Sequence, residues 1–237
     1  MQNFTKRFLA IAAIACFAAF DCFADATQPA PQPVPQPAPQ PAPQKAAQPS
    51  DILAELAKSA HSRGLAVMEI SQTKTLSFFG ETVKSKMIVA VSADGKMRMQ
   101  TVAPFSAASV FDGSNFARYE KSDGRWRALD GASTYAAKRI FGEMLGVFSG
   151  GVSDSDYAIE RGANRAVLTP KSPRVRSVVA RIEICSRRLG AETLLRSVSI
   201  IDSDGDSTIL NVEKYFDVKN ADGLFDTSKP ELPKGLE

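Results

Sequence analysis

The chain is poor in the residues that most often carry chemistry: 237 residues hold three cysteines and one histidine. Cys16 and Cys22 lie in an N-terminal stretch that reads as an export leader, which leaves Cys185 alone in the processed chain. An internal disulfide is thereby excluded, even in an oxidising compartment. With one His and one such Cys, neither a Cys–His nucleophile pair nor a His-rich zinc site is supported. His61 falls at the end of a predicted helix beside Ser62 and Arg63, where a solvated role is expected. Cys185 follows Ile184, and this apolar context predicts a buried, inert thiol. Gly-x-Ser-x-Gly, a phosphate-binding glycine loop and Cys-x-x-Cys are all missing. Carboxylate pairs occur in turns, with no sign of a shared cleft, so a glycosidase-type acid pair is unsupported. A charge excess of one sign is missing too. The 29 basic and 26 acidic residues become 27 and 25 without residues 1–24, a balance that gives no reason to expect nucleic acid. The expectation is a protein that is not an enzyme and uses no cofactor and no metal.

What is present begins at the N-terminus. Lys6 and Arg7 precede thirteen apolar positions, Phe8 to Phe20, and small residues follow at cleavage spacing in Cys22-Phe23-Ala24 or Ala24-Asp25-Ala26. That is the layout of a secretory signal peptide, and the run is shorter than the ~20 residues of a membrane span. Residues 1–24 are therefore read as a leader. A weaker alternative is the box Ala13-Ile14-Ala15-Cys16, which faintly resembles a lipidation site but is followed by more apolar residues. Residues 25–49 place Pro on nearly every second position from Pro29 to Pro43. Proline fixes φ and removes a donor, so an extended spacer is expected. At about 3.1 Å per residue, Gln28 to Pro49 could reach roughly 70 Å. Residues 50–237 are long enough for one domain with a real core.

Within that domain Asp-Gly occurs six times, at 94–95, 112–113, 123–124, 130–131, 204–205 and 222–223. Both residues tolerate positive φ, so the pair between apolar runs marks hairpins. Strands are predicted over 84–92, 97–101, 109–111, 116–119 and 126–129, and then over about 156–160, 164–169, 177–185, 193–202 and 207–213. Asp51 is placed to cap a short helix burying Ile52, Leu53 and Leu56. A longer helix starts near Ser133, with Ala137, Ile140, Phe141, Met144, Leu145 and Phe148 at helical spacing and Gly150-Gly151 as its stop. Long sheets with few helices on one face give an α+β domain. A strongly curved antiparallel sheet with its helices inside the curve fits this order. The tail from Lys219 is expected to be irregular.

Two patterns have competing readings. Asp202-Ser203-Asp204-Gly205-Asp206, with Ile209 and Glu213, spaces its carboxylates like an EF-hand calcium loop. Ser207 stands where that loop needs Gly, however, and the flanks look like strands, so a hairpin turn at Asp204-Gly205 is favoured. The five methionines beyond the leader, Met68, Met87, Met97, Met99 and Met144, fall on four strand positions and the main helix. Met is flexible and polarizable, so it suits either ordinary core filling or a pocket for chains of varied shape.

The order of several segments resembles the LolA-type periplasmic lipoprotein carriers over roughly Asp51 to Pro230. The segments are Met68-Glu69-Ile70-Ser71-Gln72-Thr73-Lys74, then Gly95-Lys96-Met97-Arg98-Met99-Gln100-Thr101-Val102-Ala103-Pro104, then Val110-Phe111-Asp112-Gly113. Later come Ala166-Val167-Leu168-Thr169-Pro170-Lys171, the hairpin Asp204 to Thr208, and Leu224-Phe225-Asp226. Met97 and Met99 flank Arg98 where such carriers often show an aromatic pair. The resemblance implies an unclosed half-barrel with helices covering its concave face and an apolar cavity for acyl chains. Membership would make the chain a monomeric periplasmic carrier or acceptor of lipoproteins or another lipid, working with inner- or outer-membrane transport proteins. The lining residues expected on this reading are Met68, Ile70, Met87, Val89, Met97, Met99, Phe141, Met144, Leu145 and Phe148. The competing reading is a non-catalytic envelope module that binds a protein or glycan.

Overall fold

The computed structural model describes residues 51–129, 132–218 and 222–236; within 132–149 it describes side chains only at 138, 141, 142 and 144–149. The predicted leader, the Pro-Gln spacer and the turn Asp130-Gly131 lie outside the described residues.

Helix α1 (Ile52–Arg63) comes first. Asp51 caps it, its carboxylate accepting from the Leu53 N–H at 3.1 Å. Gly64 ends it at φ 68°, a left-handed conformation that Gly adopts without strain. Six strands follow: β1 (Leu65–Leu76), β2 (Glu81–Ser92), β3 (Met97–Ala103), β4 (Ala107–Phe111), β5 (Phe116–Ser122) and β6 (Arg125–Ala128). Helix α2 (Ala132–Ser149) interrupts them. The chain resumes with β7 (Tyr157–Arg161), β8 (Arg165–Pro170), the single turn α3 (Pro173–Arg176), β9 (Val179–Leu189), β10 (Glu192–Asp202) and β11 (Ser207–Phe216). The expected elements are present; α3 and the full span of β1, of which the sequence marked only Met68 as a strand position, are additions.

All eleven strands form one antiparallel sheet in the order β6-β5-β4-β3-β2-β1-β11-β10-β9-β8-β7. The chain starts at the centre, builds outward to the edge β6, crosses to the opposite edge β7, and builds back until β11 pairs with β1. The sheet does not close on itself, and its two edges, β6 and β7, are joined in sequence through α2. At about 1.5 Å per residue an 18-residue helix is ~27 Å long, enough to bridge the open side of a half-barrel. The topology therefore places α2 across the concave face.

Each face of the sheet has its own apolar cluster. The concave one joins α1 and α2 to inward residues of β1–β3 and β8–β11. The convex one joins Val67, Ile88 and Ala90 to Leu224, Phe225, Leu232 and Leu236 of the tail. Because β2 is covered on both sides, Met87–Ser92 is buried without alternation. The tail is irregular as expected, but it is packed, and Asp222-Gly223 makes a turn within it instead of a hairpin between strands. The Asp-Gly pairs at 94–95, 112–113, 123–124 and 204–205 do join adjacent strands. Cys185 departs from its expected burial. Ile182, Ile184 and Ser186 of β9 point inward, so alternation turns Cys185 outward, where it is half-buried with Sγ 3.7 Å from Glu183 Oε1.

Candidate functional site

The ten residues expected to line a cavity come together on the concave face. Met68 and Ile70 from β1, Met87 and Val89 from β2, and Met97 from β3 are buried in one cluster with Phe141, Met144 and Phe148 of α2. Met99 and Leu145 are half-buried at its margin. The sequence reading drew on only one half of the sheet. Leu168, Ile182, Ile184, Leu195, Val198, Leu210 and Val212, with Ile52, Leu53 and Leu56 of α1, belong to the same cluster. Alternation at 182/184 and 210/212 carried that signal.

The space that the resemblance implies is filled by side chains of the two helices. What stays open is a groove of about 210 Å³ beside α2. Gly142 and Gly146 form part of its wall, with Val147, Val152 and Tyr157 nearby. An added Cβ at Gly142 would meet nothing within 4 Å. A second depression of about 370 Å³ adjoins it between Ser155–Tyr157 and Pro170–Val175.

The two covering helices are held differently. α1 is fastened to the sheet by polar links. Glu55 accepts from Thr193 Oγ1 at 2.7 Å and from Arg188 at 3.1 Å; Ser59 Oγ accepts from the Thr193 N–H at 3.2 Å; Arg63 pairs with Glu192. Near its end Tyr215 donates to the Leu195 carbonyl at 3.0 Å beneath the Arg63 guanidinium, and burial pushes its phenol up to about 12. α2 lies on the cluster through Phe141, Met144, Val147 and Phe148, with Phe141 tilted against Phe116 at 5.2 Å. Among its described side chains, one long contact, Lys138 Nζ to the Ser114 carbonyl at 3.5 Å, links it to the sheet by hydrogen bonding. Gly150, at φ 72°, sits where a Cβ would lie 2.6 Å from the Ala57 amide nitrogen, so the end of α2 comes onto the α1 backbone.

Arg98, between Met97 and Met99, takes a position that the sequence pattern does not predict. It points away from Met97 and Met99, to the convex face, and is fully buried. Its guanidinium donates to Gln100 Oε1 at 3.0 Å and to the carbonyls of Leu224 (3.1 Å), Lys229 (2.8 Å), Pro230 (2.8 Å) and Glu231 (3.1 Å). Burial lowers its pKa to about 10, opposed by Glu231 and Asp226. A planar fork with five donors fits a ring of carbonyls, so Arg98 straps the tail to the sheet.

Asp202-Ser203-Asp204-Gly205-Asp206 forms the hairpin between β10 and β11, with strands and not helices on both sides. The three carboxylates lie within 4.8 Å of one another. Asp206 accepts from the Ser77 N–H at 2.8 Å and from Ser77 Oγ at 3.1 Å, which ties this turn to the β1–β2 turn. His61 is exposed at the end of α1. No helix among the described residues is long and apolar enough to cross a membrane.

No family model matches the chain, and no curated protein matches it. Several solved structures are similar in fold. A LolA superfamily protein from Nitrosomonas europaea aligns at TM-score 0.43 and 9% identity over 76% of this chain and 98% of the other. A domain assigned to an outer membrane lipoprotein-sorting protein from Vibrio parahaemolyticus aligns at 0.42 and 10% over 75% and 97%. A DUF1329 family protein from Desulfovibrio piger aligns at 0.43 and 10% over 76% and 99%. The likeness is one of fold and extends to no residue role.

Proposed function

We propose that residues 50–237 are a lipid-carrying domain, exported by the leader 1–24 and set off by the spacer 25–49, which holds acyl chains of a lipoprotein or another lipid against the concave face. The observation that carries this reading is the contrast between α1, fastened by polar links, and α2, whose described side chains lie on a Met-rich surface mainly through apolar contacts. A cover held this way can be exchanged for another apolar body. Phe141, Met144, Val147 and Phe148 bury about 1.5–3 kcal/mol each, roughly 6–12 kcal/mol together. One long acyl chain at about 0.8 kcal/mol per methylene returns roughly 10 kcal/mol before ordering costs. The exchange is close to balanced, as a carrier that must both load and release requires. The groove at Gly142 and Gly146 is the place where a chain first enters, and Met68, Ile70, Met87, Val89, Met97 and Met99 line the space that α2 vacates.

On this reading the protein works in the periplasm, hands cargo to or from membrane transport proteins, and catalyses no reaction. Extraction of detergent-free protein into organic solvent, followed by mass spectrometry, tests it. A stoichiometric acyl lipid is expected. Protein that yields no lipid and also ignores fluorescent fatty acids would sink the carrier reading and leave a non-catalytic module that binds a protein or glycan.

A further inference from the structure

The concave face changes character from its centre to the β6 edge. Strand pairing sets Val89, Met99, Ser109 and Arg118 side by side in one row across β2, β3, β4 and β5. The next row runs Met87, Thr101, Ala107, Glu120 and Arg127, from β2 to β6. Residues opposed on neighbouring strands share a face. Phe116 identifies that face, because it packs against Phe141 of α2 and Arg118 and Glu120 alternate in step with it. Arg125 and Arg127 oppose Ser122 and Glu120 and so lie on the same side. Tyr119 points the other way, to the Thr227 carbonyl of the tail. Each row thus begins on residues expected to line the cavity, passes a small residue on β4 and ends on charge.

That charge is mainly positive. Arg118, Arg125 and Arg127 share the inner face of β4–β6 with one carboxylate, Glu120, among the described residues. Lys138 of α2 adds a cation, its Nζ 5.9 Å from the Phe111 ring centre. Asp112 and Asp123 lie in the turns that bound this margin, and the Asp112 carboxylate is taken up by the Ser114 and Asn115 N–H groups at 2.8 and 2.7 Å. Around α1, by contrast, cations are matched by acids: Arg161 meets Asp51 and Asp154, Arg188 meets Glu55, and Arg63 meets Glu192. Arg118 is half-buried; burial lowers its pKa from the ordinary arginine value, and Glu120 opposes the shift. A guanidinium beside an apolar surface is costly to desolvate unless an anion meets it. Its planar fork matches the oxygens of a carboxylate or a phosphate.

We propose that the cargo is an acyl lipid with an anionic head, a carboxylate or phosphate that sits on Arg118, Arg125 and Arg127 while the chain lies along Met99 and Val89. Neighbouring strands are about 4.8 Å apart, so Arg118 stands roughly 10 Å across the sheet from Met99, and one lipid molecule reaches both. The inference rests on the carrier reading and narrows it. Apolar contact with the chain does not tell one acyl lipid from another, whereas the basic margin selects the head.

The test uses one pyrene-labelled alkyl chain in three forms, ending in a carboxylate, a phosphate or a hydroxyl. The full chain should bind the two anionic forms at least about tenfold more tightly than the hydroxyl form, and the gap should shrink as salt rises from about 0.05 M to about 0.5 M. Arg125→Gln together with Arg127→Gln, both at exposed positions, should weaken the anionic forms about fivefold and leave the hydroxyl form within about twofold. Arg118→Gln should narrow the gap in the same way, with its melting temperature followed in parallel. Lys121→Gln removes a cation from the opposite face of β5 and should leave the gap as it is. Preference for only one of the two anions supports the proposal and assigns the head as fatty-acid carboxylate or lipid phosphate. Equal binding of all three forms overturns the proposal and leaves the carrier reading standing. A loss in Lys121→Gln as large as in the arginine pair also overturns it, since the preference would then be a general charge effect. If none of the three forms binds, this proposal and the carrier reading fall together.

Discussion

The two faces of the sheet are both covered, but by different physics. On the convex face one buried side chain, Arg98, holds the tail through hydrogen bonds to Leu224, Lys229, Pro230 and Glu231. On the concave face α2 rests on methionines and other apolar groups, with one long polar contact described. Hydrogen bonds to a buried cation are directional and costly to break singly, since the donors left behind stay desolvated. Apolar contact is non-directional and accepts a substitute of similar volume. The convex cover is thus bonded to the sheet directionally, and the described part of α2 is held by non-directional contact, which is the contrast the proposed function rests on. Both clusters look equally dry, so burial alone does not separate them; the bonding pattern does.

Removing Arg98 should do most to break this comparison. Arg98→Met keeps the apolar stem and leaves Gln100 and four tail carbonyls without a donor, so a loss of about 3–4 kcal/mol is expected. Urea unfolding checks it as a lowered midpoint at unchanged slope. A loss below about 1 kcal/mol would show that the apolar tail residues and the Tyr119–Thr227 hydrogen bond hold the tail without Arg98, and the two covers would then be more alike. Met144→Ala comes next, at about 2–3 kcal/mol for the cavity it leaves under α2. Its informative outcome is recovery: if the concave side holds lipid as proposed, a long-chain fatty acid should restore more midpoint to Met144→Ala than to Arg98→Met. Smaller again, Gly150→Ala should cost about 1–2 kcal/mol, since its φ of 72° is strained for Ala and the new methyl meets the Ala57 amide.

Sequence patterns reveal the two faces unequally. The capped α1, the heptad-like apolar spacing of α2 and the Asp-Gly hairpins are local signals, and they locate the elements to within a few residues. Met97 and Met99 alternate along β3 and so share a face, but alternation does not say which face it is; the pairing of β1, β2 and β3 brings Met68 and Met87 onto it. Arg98 is not readable in this way. Its partners lie 126 to 133 residues downstream, and a charged residue between two methionines looks like an ordinary solvent-facing position. Cys185 misleads for the opposite reason, since its apolar neighbour belongs to the other face of β9. The β1–β2 turn at Ser77-Phe78-Phe79-Gly80 carries no Asp-Gly, and two phenylalanines in sequence look like core until the structure shows them open to solvent. The pairing of β1 with β11, which sets the two halves of the concave face side by side, has no local signature either.

Tyr215 sharpens the comparison within the concave cover itself, because it belongs to the polar fastening of the α1 side. Its hydroxyl donates to the Leu195 carbonyl and its ring lies under Arg63. Burial raises the phenol to about 12 from the ordinary 10, so the folded state holds this proton more tightly than the unfolded chain. A raised pKa contributes stability that is complete below the unfolded value and is lost as pH climbs from about 10 towards 12. An absorbance titration should show Tyr215 ionising late, a phase absent from Tyr215→Phe, and unfolding midpoints should fall across that window. Tyr215→Phe should cost about 0.5–1 kcal/mol at neutral pH for the lost hydrogen bond and should flatten the alkaline fall. If binding of a fluorescent fatty acid stays constant across the same window, the polar links of α1 are separate from loading, and α2 is the part that moves. If binding rises as Tyr215 ionises, the α1 side opens as well, and the division between a fastened helix and a replaceable one fails.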